Sequence, residues 1–237
     1  MILKAIKYRL YPTKLQAELL DKHIGACRFV YNLALETKQI AWASAKVNLS
    51  CFDLHKQLPE LKKECGWLAD INAQSLQSAI SNMDSAYTNF FKGKSKFPVF
   101  KSKKTSTKSF VIPQKLELCS NLIKFPKFRE GIKAVVHRKL EGKIKSSTVS
   151  KTPTGKYFIS VLFETTEDLP VKPGVTEGNT TGVDLGIKIF ATLSDGQTVK
   201  NPRHLKKSSS RLKYTQSKYS KYKGKRTKQK LARLHEK

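Results

Sequence analysis

The sequence predicts a multidomain α+β protein, and three observations support that fold class. Apolar residues recur at helical spacing over residues 13–92, and short runs typical of β-strands follow over 109–170. A new strand pattern begins at residue 181, after a segment rich in proline, glycine and threonine. With 237 residues, of which 39% are hydrophobic, the chain can form one large domain or two to three small ones.

The helical part is expected to follow directly on a short strand. Residues 2–10 contain alternating apolar and polar side chains, which is a strand pattern. Thr13 is a predicted N-cap with Gln16 as its capping-box partner, so the first helix begins here and runs to about residue 46. A second helical stretch is expected over about 51–63. The third predicted helix has one apolar face, formed by Leu76, Ile80, Met83, Tyr87 and Phe90.

The β-rich part consists of short runs separated by turn residues, a spacing that suggests a small barrel or a sandwich. The predicted strands are Phe110–Ile112, Leu122–Phe125, Ile132–His137, Lys143–Ser150 and Tyr157–Glu164. The opening strand at 2–10 can join this sheet, which makes the helices an insertion. Residues 171–180 are predicted to be a linker, and Asp195-Gly196 is predicted to be the turn of a β-hairpin.

The charge balance points to a polyanionic partner. Lys and Arg number 46 against 18 Asp and Glu, for a formal net charge of +28. Self-repulsion of this size disfavours a compact state unless a polyanion relieves it, and nucleic acid is the commonest one. A merely soluble basic surface is the alternative. An anionic membrane would need a basic amphipathic helix without a globular body, which does not describe this chain.

Two segments concentrate the positive charge. Residues 92–108 contain seven lysines and no acid, with Phe97 and Phe100 interleaved. These aromatic rings suit stacking on bases, but they equally suit anchoring of the loop to the core, and both roles stay open. Residues 200–237 contain fifteen basic side chains against one acid, Glu236, and are predicted to form a long helix or a helical pair.

Asp184 is the one candidate catalytic residue that the local pattern singles out. It lies within the apolar run 182–186, which indicates a buried strand, and a buried carboxylate needs a partner such as a divalent cation. Asp on a strand with glycine two residues later, here Gly186, is how RNase H-like nucleases begin their metal site, although actin-like ATPases and ordinary turns share it. The only later acids are Asp195, in the predicted turn, and Glu236, and one aspartate cannot hold a two-metal centre.

Other kinds of site find no support. The four cysteines form no C-x-x-C pair and have no zinc-finger spacing with histidine, so we predict no zinc site and reduced, mostly buried thiols. Motifs of Ser/His/Asp catalysis and phosphate-cradling glycine loops are absent. Met1 is followed by no signal-peptide pattern, and no run of 18 apolar residues occurs, so a cytoplasmic, nucleoid-associated protein without a membrane partner is expected.

Over essentially its whole length, the chain resembles the TnpB proteins of insertion sequences, also called OrfB-type transposases. The matching segments are Tyr8–Pro12, Ala26–Asn32, Asp84–Phe91, Lys139–Ile144, Gly182–Lys188, Asn201-Pro202 and Lys230–His235.

The resemblance implies a domain layout and partners. A β-barrel wedge domain (1–12 and 109–170) would be interrupted by a helical recognition domain (13–108). A 171–180 linker and an incomplete RNase H-like (RuvC) α/β domain from 181 to 237 would follow. A guide RNA from the transposon end, duplex DNA beside a short motif, and Mg²⁺ are the implied partners and cofactor. Asp184 matches the first RuvC aspartate, and Gln77 corresponds to a DNA-facing position. The further candidate nucleic-acid-binding residues are Lys92, Lys94, Lys96, Lys101, Lys103, Lys104 and Arg138.

The chain also departs from the family pattern. The second catalytic Glu, the third catalytic Asp and the zinc ribbon of the family have no counterpart, so we expect a C-terminally truncated member whose RuvC-like unit exposes its apolar face. Three functions therefore stay open. The chain is an RNA-guided DNA endonuclease by descent that does not cleave alone, a cleavage-inactive repressor or guide-RNA binder, or a structural RNA-binding protein of the ribosomal kind.

Overall fold

The computed structural model describes residues 2–104, 107–138, 142–165 and 174–236, apart from the side chains of residues 177, 205 and 207. The chain divides into two compact units, residues 1–168 and residues 169–237. Part of the predicted linker, residues 171–173, lies outside the described residues, and so do residues 139–141 of the family segment Lys139–Ile144.

The first unit is a mixed α/β structure built on one seven-stranded antiparallel sheet. Its strands are β1 (Ile2–Tyr11), β2 (Lys108–Ile112), β3 (Glu117–Leu118), β4 (Leu122–Phe125), β5 (Phe128–Val135), β6 (Lys143–Lys151) and β7 (Tyr157–Thr165). The strand order is β2-β6-β7-β1-β5-β4-β3. Strand β1 pairs with β7 along most of its length and with β5 at its C-terminal end, so the N-terminal strand lies inside the sheet.

The predicted strands correspond to β1, β2, β4, β5, β6 and β7. The sequence pattern missed β3, because two residues are too few to show an alternation. In β7 every second residue is buried, from Tyr157 to Thr165, so one face of the sheet contacts the core. Strands β2 and β3 form the two ends of the hydrogen-bonded order.

Four helices connect β1 to β2: α1 (Lys14–Ala45), α2 (Cys51–Lys56), α3 (Leu58–Glu64) and α4 (Ala73–Phe91). Helix α1 begins with the predicted capping box, in which Gln16 N–H donates to Thr13 Oγ1 at 3.3 Å and Thr13 N–H donates to Gln16 Oε1 at 3.1 Å. The single stretch predicted over 51–63 is divided at Gln57, with a proline in the first turn of α3.

The helices and the sheet share one apolar core. Leu20 and Val30 of α1, Leu76 and Met83 of α4, and Val161 of β7 are all buried in the same cluster. The predicted apolar face of the third helix is confirmed, with Phe90 half-buried at its end.

A buried histidine ties two helices together within that core. His23 Nδ1 lies 2.9 Å from the Leu19 carbonyl oxygen, and its Nε2 accepts from the Asn72 N–H at 3.2 Å, just before α4. Burial lowers the pKa of His23, because the charged form would lose its hydration. The His23 ring is therefore neutral, and its hydrogen bonds link α1 to the residue that precedes α4.

The second unit consists of a three-stranded antiparallel sheet and two helices. The strands β8 (Val183–Leu185), β9 (Ile189–Leu193) and β10 (Thr198–Lys200) pair in the order β10-β9-β8. The predicted hairpin turn is confirmed, since Gly196 has a φ of +84° and Asp195 Oδ1 accepts from the Gln197 N–H at 3.0 Å. The basic tail is a helical pair, α5 (His204–Tyr222) and α6 (Lys225–His235).

The apolar side chains of this small sheet are largely exposed. Leu185 is 69% exposed and Ile187 is 91% exposed, whereas Ala191 is buried. The burial indicated by the apolar run 182–186 is therefore not observed, and its apolar side chains are exposed instead. The physical reason is that three short strands have too few neighbours to cover an apolar side chain on either face. Among the described residues, no helix is long and apolar enough to cross a membrane.

Candidate nucleic-acid interface

The lysine-rich loop that follows α4 begins in a defined conformation. The Gly93 N–H donates to the Phe90 carbonyl at 2.9 Å, and the Lys94 N–H donates to the Asn89 carbonyl at 2.9 Å. Gly93 has a φ of +68°, a left-handed conformation that glycine adopts without strain. These bonds turn the chain sharply out of the helix and place the side chains of Lys92 and Lys94 on the surface.

Aromatic packing fixes the middle of the loop. The Phe97 ring lies edge-on to Tyr87 at 5.4 Å and to Phe90 at 5.2 Å, and Pro98 beside it is buried. Phe97 therefore anchors the loop to α4, which is one of its two predicted roles. With 45% of Phe97 and 52% of Phe100 exposed, both rings also keep area for a ligand, so the stacking role stays a prediction.

The end of the loop is held by α1. The Lys101 N–H donates to Asn32 Oδ1 at 2.8 Å, and Asn32 Nδ2 donates to the Lys101 carbonyl at 3.0 Å. The Lys101 ammonium lies 3.8 Å from the centre of the Tyr31 ring, and burial lowers its pKa. Lys101 is thus turned partly inward, unlike its neighbours. Asn32 and Tyr31 were not singled out as site residues, although both lie in the family segment Ala26–Asn32.

Five further lysines, all between residues 92 and 104, face solvent, whereas Lys108 is half-buried at the start of β2. None of them makes an ion pair within the described ranges, and residues 105 and 106 lie outside those ranges. The exposed, unpaired lysines are Lys92, Lys94, Lys96, Lys103 and Lys104. Because residues 92–108 contain no acid, their charges add up to a local positive potential suited to phosphates.

Gln77 and Arg138 are also exposed, and their backbones are fixed. Gln77 lies on α4, and its carbonyl accepts a hydrogen bond from His55 Nε2 at 3.1 Å. Arg138 follows β5, and its carbonyl accepts from the Tyr8 hydroxyl at 2.7 Å. Both side chains are therefore free to contact a ligand while their positions are set by the core.

Asp184 lies on β8 in the second unit, opposite Thr192 of β9, and is exposed. No three His, Cys, Asp or Glu side chains come together to hold a metal ion anywhere in the described ranges. A single exposed carboxylate does not fit a two-metal centre, which needs several carboxylates to hold two ions about 3.5–4 Å apart. The described residues therefore do not form a Mg²⁺ site.

Gly186 has a local reason to be glycine. A Cβ at this position would lie 2.8 Å from the Ile189 carbonyl oxygen, closer than such contacts normally come. The tight connection between β8 and β9 accordingly requires glycine here.

The cysteines are all free thiols, as predicted, but they are not mostly buried. Cys27 is buried, Cys51 and Cys65 are intermediate, and Cys119 is exposed. Burial raises the pKa of Cys27 to about 12. Cys119 is exposed because it lies in the short turn between β3 and β4, at the end of the sheet.

An acid-free, lysine-rich loop on a folded basic domain is typical of proteins that bind nucleic acid. Residues 1–46 match the family profile of the IS605 OrfB helix-turn-helix domain. Residues 159–237 match the IS605 OrfB profile described as "Probable transposase". In this structure the described residues of that stretch, 2–46, form β1 and the continuous helix α1, and they contain no helix-turn-helix.

Two curated relatives match 98% of the chain. The first, from Streptomyces pristinaespiralis, is 34% identical over 242 residues and is named as a candidate RNA-guided DNA endonuclease. The second, InsQ from Escherichia coli K12, is 31% identical and carries the same description. The chain spans 59% of the length of each. It belongs to the OrfB (TnpB-type) family of IS605 insertion sequences.

A solved structure was also matched, a chain of the CRISPR-Cas12f ternary complex determined by cryo-electron microscopy. It has a TM-score of 0.40 and 12% sequence identity, and the match covers 91% of this chain and 55% of that one. A likeness of this size does not by itself establish a shared fold.

Proposed function

We propose that this chain binds nucleic acid as the guide-RNA- and DNA-holding part of an RNA-guided DNA endonuclease of the OrfB family. In this proposal the seven-stranded sheet is the wedge domain and the helices over 13–108 are the recognition domain. Residues 181–237 are the start of a RuvC-like domain. The protein acts in the cytoplasm at the nucleoid, where its target DNA lies.

The observation that carries the proposal is the loop over residues 92–104. It presents five exposed lysines without a counter-ion in the described ranges, and it is fixed at its start by α4 and at its end by Asn32. A fixed loop loses little conformational entropy on binding, so little of the free energy gained from its phosphate contacts is offset by ordering the loop. The names of both curated relatives, RNA-guided DNA endonucleases, support nucleic acid as the ligand.

The roles of the loop lysines, Gln77 and Arg138 follow from the chemistry of RNA-guided recognition. Base pairing with a guide reads the target sequence, while the protein contacts backbones and a short adjacent motif. The lysines of the loop suit backbone contacts, because an ammonium group recognises phosphate regardless of sequence. Gln77 carries an amide that pairs with a base edge, and we assign it to the motif-bearing duplex DNA. Arg138 is assigned to a phosphate.

Asp184 is proposed as one carboxylate of the endonuclease site. In the intact site, divalent ions would position and activate the nucleophile for phosphodiester cleavage. Because the described residues bring no three possible metal ligands together, no cleavage step can be built on them. Binding is therefore the activity that we assign to this chain alone.

The salt dependence of binding tests this proposal. With about ten phosphate contacts, log K should fall with log salt at a slope near −9 for duplex DNA and near −7 for single-stranded RNA. Exchange of the five exposed loop lysines for glutamine should flatten that slope by about 5. The matched control removes five exposed lysines elsewhere in the same unit, namely Lys14, Lys22, Lys56, Lys115 and Lys133. An equal effect of both sets would contradict a specific interface at the loop.

A further inference from the structure

A small cavity lies where α1, α4 and the end of the basic loop meet β2. Its volume is about 60 Å³, and three cationic side chains, Arg28, Lys101 and Lys108, line it. Hydroxyl groups of Ser109 and Thr107 are also in the wall, and the wall contains no Asp or Glu. Arg28 is not among the candidate site residues named above, and Lys108, which ends the acid-free segment 92–108, is not among its exposed lysines.

The helix segment 26–32 builds this cavity. Asn32 fixes the backbone of Lys101 from both sides, and Tyr31 supports the Lys101 ammonium through its ring face. Arg28 projects into the wall from the next turn of α1, and the Cys27 thiol donates to the Ser75 carbonyl at 3.5 Å beneath it. One stretch of helix therefore places two cations in the same wall, and β2 adds Lys108.

The three cations have no anionic partner. Within the described ranges, none of Arg28, Lys101 and Lys108 forms an ion pair. Burial lowers the pKa of Lys101, which is the cost of holding an ammonium group away from water without a carboxylate. Like charges gathered around one cavity repel one another, and a bound anion removes that repulsion.

The size of the cavity selects the kind of anion. A cavity of roughly 150 Å³ accommodates a benzene-sized ring, and about 10–15 Å³ holds one water molecule. At about 60 Å³ the cavity is too small for a nucleobase and large enough for a tetrahedral oxyanion. Arg and Lys with nearby hydroxyl groups are the groups that bind phosphate oxygens in proteins.

We propose that the cavity lined by Arg28, Lys101 and Lys108 binds one phosphate group of a nucleic-acid backbone. That the cavity binds a phosphate group follows from its lining residues and volume alone. That the phosphate belongs to a nucleic acid rests on the proposed function. The family segment Ala26–Asn32 thereby acquires a role, which is to hold a loop lysine and a helix arginine around the same phosphate.

The first test uses inorganic phosphate as the probe on the full chain. Amide resonances of residues around Arg28 and Ser109 should shift saturably on titration. The variant Arg28→Gln/Lys108→Gln should lose these shifts, whereas the control Lys22→Gln/Lys133→Gln, with the same loss of charge at exposed positions outside the cavity, should keep them. No saturable shift in the unaltered chain, or equal shifts in both variants, would overturn the site. Melting temperatures show that each variant is folded.

The second test uses single-stranded RNA and separates the sources of phosphate. The cavity variant should lower the salt slope of RNA binding by about 0.7–1, because one phosphate contact is lost, and the control variant should lower it less. Phosphate binding with an unchanged RNA slope would overturn the assignment to a backbone phosphate. If the unaltered chain bound no RNA, the proposed function would fail while the phosphate titration still decided the cavity. Lys101→Met and Lys101→Arg should respectively abolish and keep the phosphate shifts.

Discussion

Asn32 on α1 hydrogen-bonds both backbone polar groups of Lys101, accepting from its N–H at 2.8 Å and donating to its carbonyl at 3.0 Å. The two residues are 69 positions apart in the sequence. One side chain thus joins the end of the lysine-rich loop to the longest helix of the first unit, and it sets the position of the lysine that lines the phosphate-sized cavity.

Asn32→Ala should loosen the loop without unfolding the unit. The loss of two partly buried hydrogen bonds costs about 1–3 kcal/mol, so amide hydrogen exchange over residues 92–104 should accelerate by roughly 5- to 150-fold. Hydrogen exchange followed by mass spectrometry measures this. Ser85→Ala on the exposed side of α4 is the control and should leave the loop unchanged. Equal exchange in both variants would show that Asn32 does not restrain the loop.

Acid should destabilise the first unit through His23. Its pKa is lowered in the folded state by burial, so the unfolded chain binds more protons and the stabilisation present above pH 6.5 is lost as the pH falls below it. The free energy of unfolding should decrease by up to about 1.4 kcal/mol per pH unit in this range. Chemical denaturation at several pH values measures the slope. His204→Gln, at an exposed position, should not alter it, and an ordinary His23 titration by NMR would refute this explanation.

The cysteines should react with alkylating agents in the order of their exposure. Cys119 is exposed and should be modified first, and Cys27 should be modified only when the unit unfolds. With a pKa of about 12, the Cys27 thiol is almost entirely protonated at pH 8 and is shielded as well. For the same reason the free energy of unfolding should fall as the pH rises from about 9 towards 12. Mass spectrometry of timed samples gives the order, and early modification of Cys27 would contradict the core described for α1.

Asp184 should be dispensable for everything that this chain does alone. We expect no Mg²⁺-dependent DNA cleavage by the purified chain, since no group of three possible metal ligands forms among the described residues. Asp184→Ala should leave RNA affinity and salt slope unchanged, because one exposed carboxylate contributes little to either. A plasmid-nicking assay with Mg²⁺ or chelator checks the first point. Cleavage by the unaltered chain that disappears in Asp184→Ala would show that the missing ligands are present after all.

Local sequence patterns were sufficient for most of the fold. Thr13 and Gln16 define the start of α1 through backbone N–H groups only three residues away, and alternation over Tyr157–Thr165 defines β7 through burial of one face. Asp195-Gly196 likewise determines its own turn. In each case the determining interactions lie within a few residues, and a single sequence displays them.

Features that depend on distant residues were not predictable in this way. The hydrogen bonds between Asn32 and Lys101 connect residues 69 positions apart, and the sequence around either residue does not predict its partner. The cavity adds Lys108 from a third element. For Asp184 the local pattern predicted a buried strand, but the strand is exposed. An apolar run is buried only where other elements of the fold cover it.

The most direct test of the central claim is to recover the full chain from its host and sequence the RNA bound to it. Our account predicts one enriched RNA from the end of the chain's own insertion sequence, retained at moderate salt. It also predicts that the variant without the five exposed loop lysines loses this RNA while the five-lysine control keeps it. A diffuse RNA population, removed by modest salt and equal in both variants, would contradict the account and leave only a basic polyelectrolyte.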